Sequence, residues 1–258
     1  MEISPSTLVA DIAYRHPESA DVFEQHEIDY CCGGRRPLAE VCAERNLTFD
    51  ALRSEIEAAV RRHAQRDAPL APQASLAEIL DHVLAQHHGR LRDDVPRIGR
   101  LCARVAQSHA ARYPELVGIA QRLQRLCRTL EDHAAKEERV LFPLIRMLDG
   151  YPGLGHPPVA TLEAPIHAMT TEHDVIASAL ERLSQDTQGY AVPDEACNSL
   201  RALYCALREL ERSLYDQMRI EEQILFARTL ELEREGPLPL AARRAGARRA
   251  RMPARGSL

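Results

Sequence analysis

The residues of this chain best suited to chemistry are acids and imidazoles placed where leucine belongs. From Leu116 to Leu148 the apolar beat falls on Leu116, Ile119, Leu123, Leu126 and Leu130 and resumes at Leu141, Leu144 and Leu148, the stripe of a buried helix face. His133 and Glu137 take the two places between. Spaced i to i+4, they stack on one face and point where Leu would point. A buried carboxylate without a partner costs several kcal/mol, so a cation should face it, either an arginine or a metal ion.

The pattern recurs on three more stretches. A helix opened by the capping box Ser75-Leu-Ala-Glu78 carries Leu76, Ile79, Leu80, Val83, Leu84, Leu91, Val95, Ile98, Leu101 and Val105, with a kink expected at Pro96. His87 and His88 interrupt it, and periodicity alone does not say which faces inward. A helix starting near Pro165 sets His173 within the beat Ile166, Met169, Ile176, Leu180 and Leu183. One starting near Pro193 runs through Ala196, Leu200, Leu203, Leu207, Leu210 and Leu214 to Gln217 and Glu221, again i to i+4, and then Leu225. His82 and His167 lie off these faces.

Four amphipathic rods, each with polar residues in an apolar seam, predict an all-α protein whose main body is an antiparallel four-helix bundle with a metal site inside. Neutral imidazole and carboxylate suit iron, manganese or zinc, and carboxylates can bridge two ions. The set lacks thiolate, which argues against a cysteine-rich structural zinc site.

A second constellation lies in residues 1–63, where short apolar runs broken by Pro17, Gly33, Gly34 and Pro37 predict a small domain of four short helices, with Thr48 capping the last. There Cys31 and Cys32 precede Gly33 and Gly34, which permit a sharp turn, and Arg35 and Arg36, which favour thiolate. A disulfide between adjacent residues is strained. Metal binding, thiol exchange with a partner, and a bridge between two chains of a homodimer stay open. Residues 64–74, rich in Pro and Ala, read as a linker, 75–232 as the bundle, and 233–258 as a basic disordered tail whose stretch from Gly236 holds six arginines and no acid.

Composition narrows the function classes. The 258 residues are 45% hydrophobic, 28% charged and only 4% aromatic with no Trp, which favours Leu and Ala helix packing over a β-sandwich. A formal charge of −5 gives no support to a nucleic-acid binder. No apolar run approaches the ~20 residues of a membrane helix, and no signal-peptide pattern opens the chain, so no membrane association is expected and the cytoplasm is the expected compartment. Seven cysteines, odd in number and scattered, point to reduced thiols.

Taken together these motifs resemble the repair-of-iron-centres family, cytoplasmic bacterial proteins that join a short N-terminal domain carrying DYCCGG to a hemerythrin-like di-iron bundle. The likeness spans roughly residues 6 to 230. Asp29-Tyr30-Cys31-Cys32-Gly33-Gly34 matches the N-terminal signature. His133, Lys136, Glu137, Glu138, Leu141, Phe142 and Pro143 match HxxKEExxLFP, and Glu172, His173 and Asp174 match EHD. The resemblance implies two irons, selects His88 over His87, and makes Glu137 and Glu221 the bridging carboxylates beside His133 and His173. One departure stands out. The family's fourth helix has HxxxE followed by LFP, whereas this chain has Gln217 four residues before Glu221, then Leu225-Phe226-Ala227, and no histidine after His173. A Gln oxygen is a weaker donor than imidazole, so the iron held by His173 is expected to be bound more loosely, or the site to hold one metal, with Gln217 ligating through oxygen or leaving a position open.

The resemblance further implies repair of damaged iron–sulfur proteins after oxidative or nitrosative stress, by iron donation or by action on nitric oxide. Cys31 and Cys32 would then serve thiol or iron transfer. The chain would be an iron donor more than an enzyme, with NO reduction left open. The competing reading is a hemerythrin-like module that binds or senses O₂ or NO without repair, or a relative with a weakened mono-iron site. The CCGG motif weighs against a bare gas carrier, which has no use for vicinal thiols.

Overall fold

The computed structural model describes residues 3–30, 34–65, 70–71, 73–150, 157, 161–193 and 195–235. Cys31, Cys32, part of the expected linker and the arginine-rich tail lie outside them. Among the described residues all regular structure is helical, apart from an isolated bridge between Leu8 and Pro37.

The N-terminal residues form α1 (Val9–Arg15), a short 3₁₀ turn (Pro17–Ser19), α2 (Ala20–Gln25), α3 (Leu38–Glu44) and α4 (Phe49–Gln65). No one of α1 to α3 is long enough to stand alone in water, so they share one apolar cluster that includes Val9, Ile12, Phe23, Leu38, Leu52 and Ile56. The Thr48 hydroxyl accepts a hydrogen bond from the Ala51 N–H at 3.3 Å, as a helix start requires. Gly34 closes the segment after Tyr30. A Cβ there would lie 2.6 Å from the Tyr30 carbonyl oxygen, so glycine is what lets the chain approach itself this closely.

Four rods make up the bundle. The first is α5 (Leu76–His82), a π-helical turn (Val83–His88) and α6 (Gly89–His109); the second is α7 (Glu115–Lys136), a π turn (Glu137–Leu141) and α8 (Phe142–Leu148). The third, α9 (Glu163–Asp186), is α-helical throughout. The fourth is α10 (Asn198–Ile220), a π turn (Glu221–Phe226) and α11 (Ala227–Glu235). The capping box opens α5: Ser75 Oγ accepts from Glu78 N–H, and Glu78 Oε2 accepts from Ser75 N–H at 2.7 Å. The fourth rod begins at Asn198 rather than Pro193, because Cys197 is extended and takes the N-cap place. On the first rod α6 continues past Pro96, and the interruption is the π turn.

Each π turn adds a residue and so rotates the following face by about 100°. Past the second π turn the buried face accordingly widens: Leu141 and Leu144 are buried as the stripe predicts, Phe142 and Ile145 join them, and Leu148 is only partly buried. Pro143 follows directly in the first turn of α8, where its missing N–H is least costly.

The polar groups sit early in the first rod, late in the second, and late in the fourth, as an up-and-down arrangement requires for them to meet. They separate two apolar clusters, one around Leu123, Leu126, Leu203 and Leu207, the other around Leu80, Leu141, Ile145 and Leu225. The N-terminal helices dock on α6 and α10 in the half remote from the polar layer. Arg97 Nε pairs with Asp21 at 3.3 Å, Arg104 pairs with Glu24, and the Asn198 side chain donates to the Tyr30 carbonyl at 3.5 Å.

Candidate metal centre

His88, His133, Glu137, His173, Gln217 and Glu221 converge in one buried layer, with Glu137 and Glu221 at 0% exposure. Three of the four rods pass through a π turn at this level: His88 ends the first, Glu137 begins the second and Glu221 begins the third of those turns. Such a turn re-aims side chains that an unbroken α-helix would carry past the centre.

The imidazoles turn Nε2 inward. His88 Nε2 lies 3.1 Å from Glu137 Oε2 and 3.9 Å from Glu221 Oε1. His133 Nε2 is 3.4 Å from Glu137 Oε2, His173 Nε2 is 3.2 Å from Glu221 Oε2, and the two Nε2 atoms are 3.2 Å apart. The rings of Phe142 and Phe226 stack on His88 and His173 at 5.5 and 6.1 Å, covering the layer with hydrocarbon.

Every inward imidazole is held from behind by a carboxylate. His88 Nδ1 meets Glu138 at 2.8 Å, His133 Nδ1 meets Glu172 at 3.0 Å, and His173 Nδ1 meets Glu222 at 2.7 Å. An Nδ1–H donated outward leaves the Nε2 lone pair facing the centre and raises its basicity, the arrangement that metal-binding histidines use. The sequence reading assigned these three glutamates no role. Their signal was adjacency, since Glu138 and Glu222 double the inward Glu137 and Glu221, and Glu172 precedes His173.

The charges are strained without a cation. Burial, and then the neighbouring Glu221 charge, push the Glu137 carboxyl above the usual carboxylate range. Burial works against a charged His173, yet the adjacent Glu221 carboxylate outweighs it and raises its pKa to about 9. His88 is likewise raised against its burial by Glu137, whereas burial lowers His133. Glu137 Oε1 has no hydrogen-bond partner, and Glu221 Oε2, though near His173, has none of adequate geometry. Donor atoms of His133, Glu137, His173 and Glu221 lie within 4.8 Å of one another, close enough to share one ion. This set of nitrogen and oxygen donors fits iron, manganese or zinc.

Gln217 is buried in the layer beside Glu221. Its amide Nε2 donates to Glu221 Oε1 at 2.9 Å, the oxygen turned toward His88, while His133 and His173 face each other across the other side. Gln217 thus bonds the Glu221 oxygen that lies 3.9 Å from His88 Nε2, while His173 Nε2 approaches the other oxygen at 3.2 Å. His87 stays outside the set. Neither of its ring nitrogens has a hydrogen-bond partner, and burial lowers its pKa to about 4, which keeps it neutral. His167 is exposed. Cys31 and Cys32 lie outside the described residues.

A helical bundle with a layer of histidines and glutamates, each imidazole backed by an acid, defines a hemerythrin-like cation-binding protein. Comparison with known proteins agrees. The family model described as "Hemerythrin HHE cation binding domain" matches residues 79–229, and one described as "Domain of Unknown function (DUF542)" matches residues 6–60. The chain is similar to the protein named "Iron-sulfur cluster repair protein YtfE" from Citrobacter koseri and from Escherichia coli O157:H7. Each is 31% identical over 222 residues, covering 86% of this chain and 96% of the relative. The chain belongs to the repair-of-iron-centres family.

Proposed function

We propose that this protein restores iron–sulfur clusters damaged by oxidative or nitrosative stress, drawing on a two-iron centre held by His88, His133, Glu137, His173 and Glu221, with Gln217 as a weaker donor. The observation that carries the reading is the buried layer itself, two carboxylates each with one unpartnered oxygen facing three imidazoles whose outer nitrogens are tied to acids. The name of the relatives supports the repair role. Bound there, ferrous iron supplies a metal held by oxygen and imidazole alone, labile enough to be handed on and able to meet nitric oxide or O₂.

The chain's own residues have separable tasks. Glu137 and Glu221 bring the negative charge that draws iron in and can bridge two ions. Glu138, Glu172 and Glu222 hold the imidazoles in the ligating tautomer. Phe142 and Phe226 exclude water. Gln217 makes the side near His88 the weaker one, and so the side from which iron leaves first. Cys31 and Cys32 serve thiol or iron transfer toward the damaged partner. Reduced thiols in such a role suit the cytoplasm.

The test is reconstitution without air. Protein loaded with ferrous iron should restore an iron–sulfur enzyme inactivated by nitric oxide, Glu137→Ala should not, and Cys31→Ser/Cys32→Ser should keep its iron while losing restoration. Loaded wild-type protein that restores nothing, while still binding nitric oxide, would replace this reading with the gas-binding one.

A further inference from the structure

At the end of the bundle remote from the metal layer, two rods bring a thiol and an imidazole together. Cys197 Sγ lies 3.1 Å from His109 Nε2 and 3.2 Å from Ser199 Oγ. Cys197 is the N-cap of α10 and uses its side chain for no cap hydrogen bond, while His109 is the last residue of α6. The positive end of one helix dipole therefore falls on the sulfur and the negative end of another on the imidazole, which favours transfer of the proton from sulfur to nitrogen. His109 and Ser199, the two residues that contact the Cys197 sulfur, border a cleft of about 490 Å³ whose other wall includes Asp29 and Tyr30, so small molecules reach the imidazole beside the thiol. The other described cysteines have no such imidazole hydrogen-bond partner among the described residues. Burial raises the thiols of Cys42 and Cys205, and pushes Cys127 up to about 11 and Cys102 to about 12.

We propose that Cys197 and His109 form a nucleophile–base pair that makes Cys197 a site of oxidation by hydroperoxides, independent of the metal centre. The thiol proton passes to His109 Nε2 and the thiolate attacks one peroxide oxygen. An S–O bond forms as the O–O bond breaks, and the departing hydroxide or alkoxide recovers the proton from His109 as water or alcohol. Sulfur is oxidised by two electrons to a sulfenic acid, and the peroxide is reduced by two. Ser199 donates its hydroxyl to the thiolate.

The test uses the full chain carrying Cys31→Ser/Cys32→Ser, loaded with zinc so that no redox-active ion consumes peroxide. Iodoacetamide alkylation is followed peptide by peptide by mass spectrometry, and hydrogen peroxide is followed by dimedone capture. Cys197 should be alkylated at least about tenfold faster than Cys205, and should carry the dimedone adduct. His109→Gln should remove about tenfold or more of that rate with zinc content unchanged. Should His109→Gln fail to fold, the pH profile decides: a preformed thiolate reacts at nearly the same rate from about pH 6 to 8, whereas an ordinary thiol slows about tenfold per unit. Alkylation of Cys197 no faster than of Cys205, a rate indifferent to His109→Gln, a tenfold-per-unit profile, or no dimedone adduct at Cys197 would each overturn the proposal.

Discussion

Around Leu123, Leu126, Leu203 and Leu207 the rods are α-helical and their facing residues hydrocarbon; one cluster along, three of the same rods pass through π turns and present histidine, glutamine and glutamate instead. Apolar burial in the first region stabilises the bundle at roughly 25 cal/mol per Å² removed from water. The second region opposes folding until a cation arrives, because two carboxylates lie buried near each other. The difference teaches where such a protein keeps its tolerance: a long leucine seam holds the rods in register so that a short polar layer can remain strained.

The comparison breaks most completely at Glu137. Glu137→Ala should abolish metal retention at both sides of the layer, read by elemental analysis after gel filtration, while helicity by circular dichroism is kept. If two metals remain, Glu137 is not shared between them. Next in size is the leucine region, where Leu203→Ala should lower global stability by about 2 to 5 kcal/mol in denaturant melts and leave metal stoichiometry alone. Loss of metal along with stability would mean that the two regions are not separable.

Smaller effects sharpen the boundary. Glu222→Ala removes the acid behind His173 and should weaken metal binding by about 10- to 100-fold, as competition with a chelator would report. Because Glu222 is partly exposed, the melting temperature of the metal-free chain should hardly move. Gln217→His should give the smallest change, slower release of one metal on the His88 side and no change in the other. A slowed release from the His133 and His173 side would contradict the geometry around Glu221 Oε1.

Much of this was legible beforehand. The gaps in the apolar stripes at His133, Glu137, His173 and Glu221 identified the inward polar residues, because a helix of known period leaves a residue few directions in which to point. The CCGG motif and the doubled signatures supplied the family. What escaped was local winding. The three π turns leave no mark in a pattern read at a fixed period, which predicts Leu141, Leu144 and Leu148 inward; Leu141 and Leu144 are buried, but so are Phe142 and Ile145, and Leu148 is only partly so. The outer carboxylates escaped for a related reason. Glu138 and Glu222 are partly exposed, and exposed glutamates on helices are ordinary.

By itself the sequence determined the class of the fold and which residues must be hidden, since periodicity and the cost of burying charge act along a single helix. Only the tertiary structure decided how those residues pair: that Gln217 bonds the Glu221 oxygen turned toward His88, that each imidazole has an acid behind it, and that Cys197 meets His109. Such pairings join residues dozens of positions apart, and their geometry depends on how one rod is wound and set against the next.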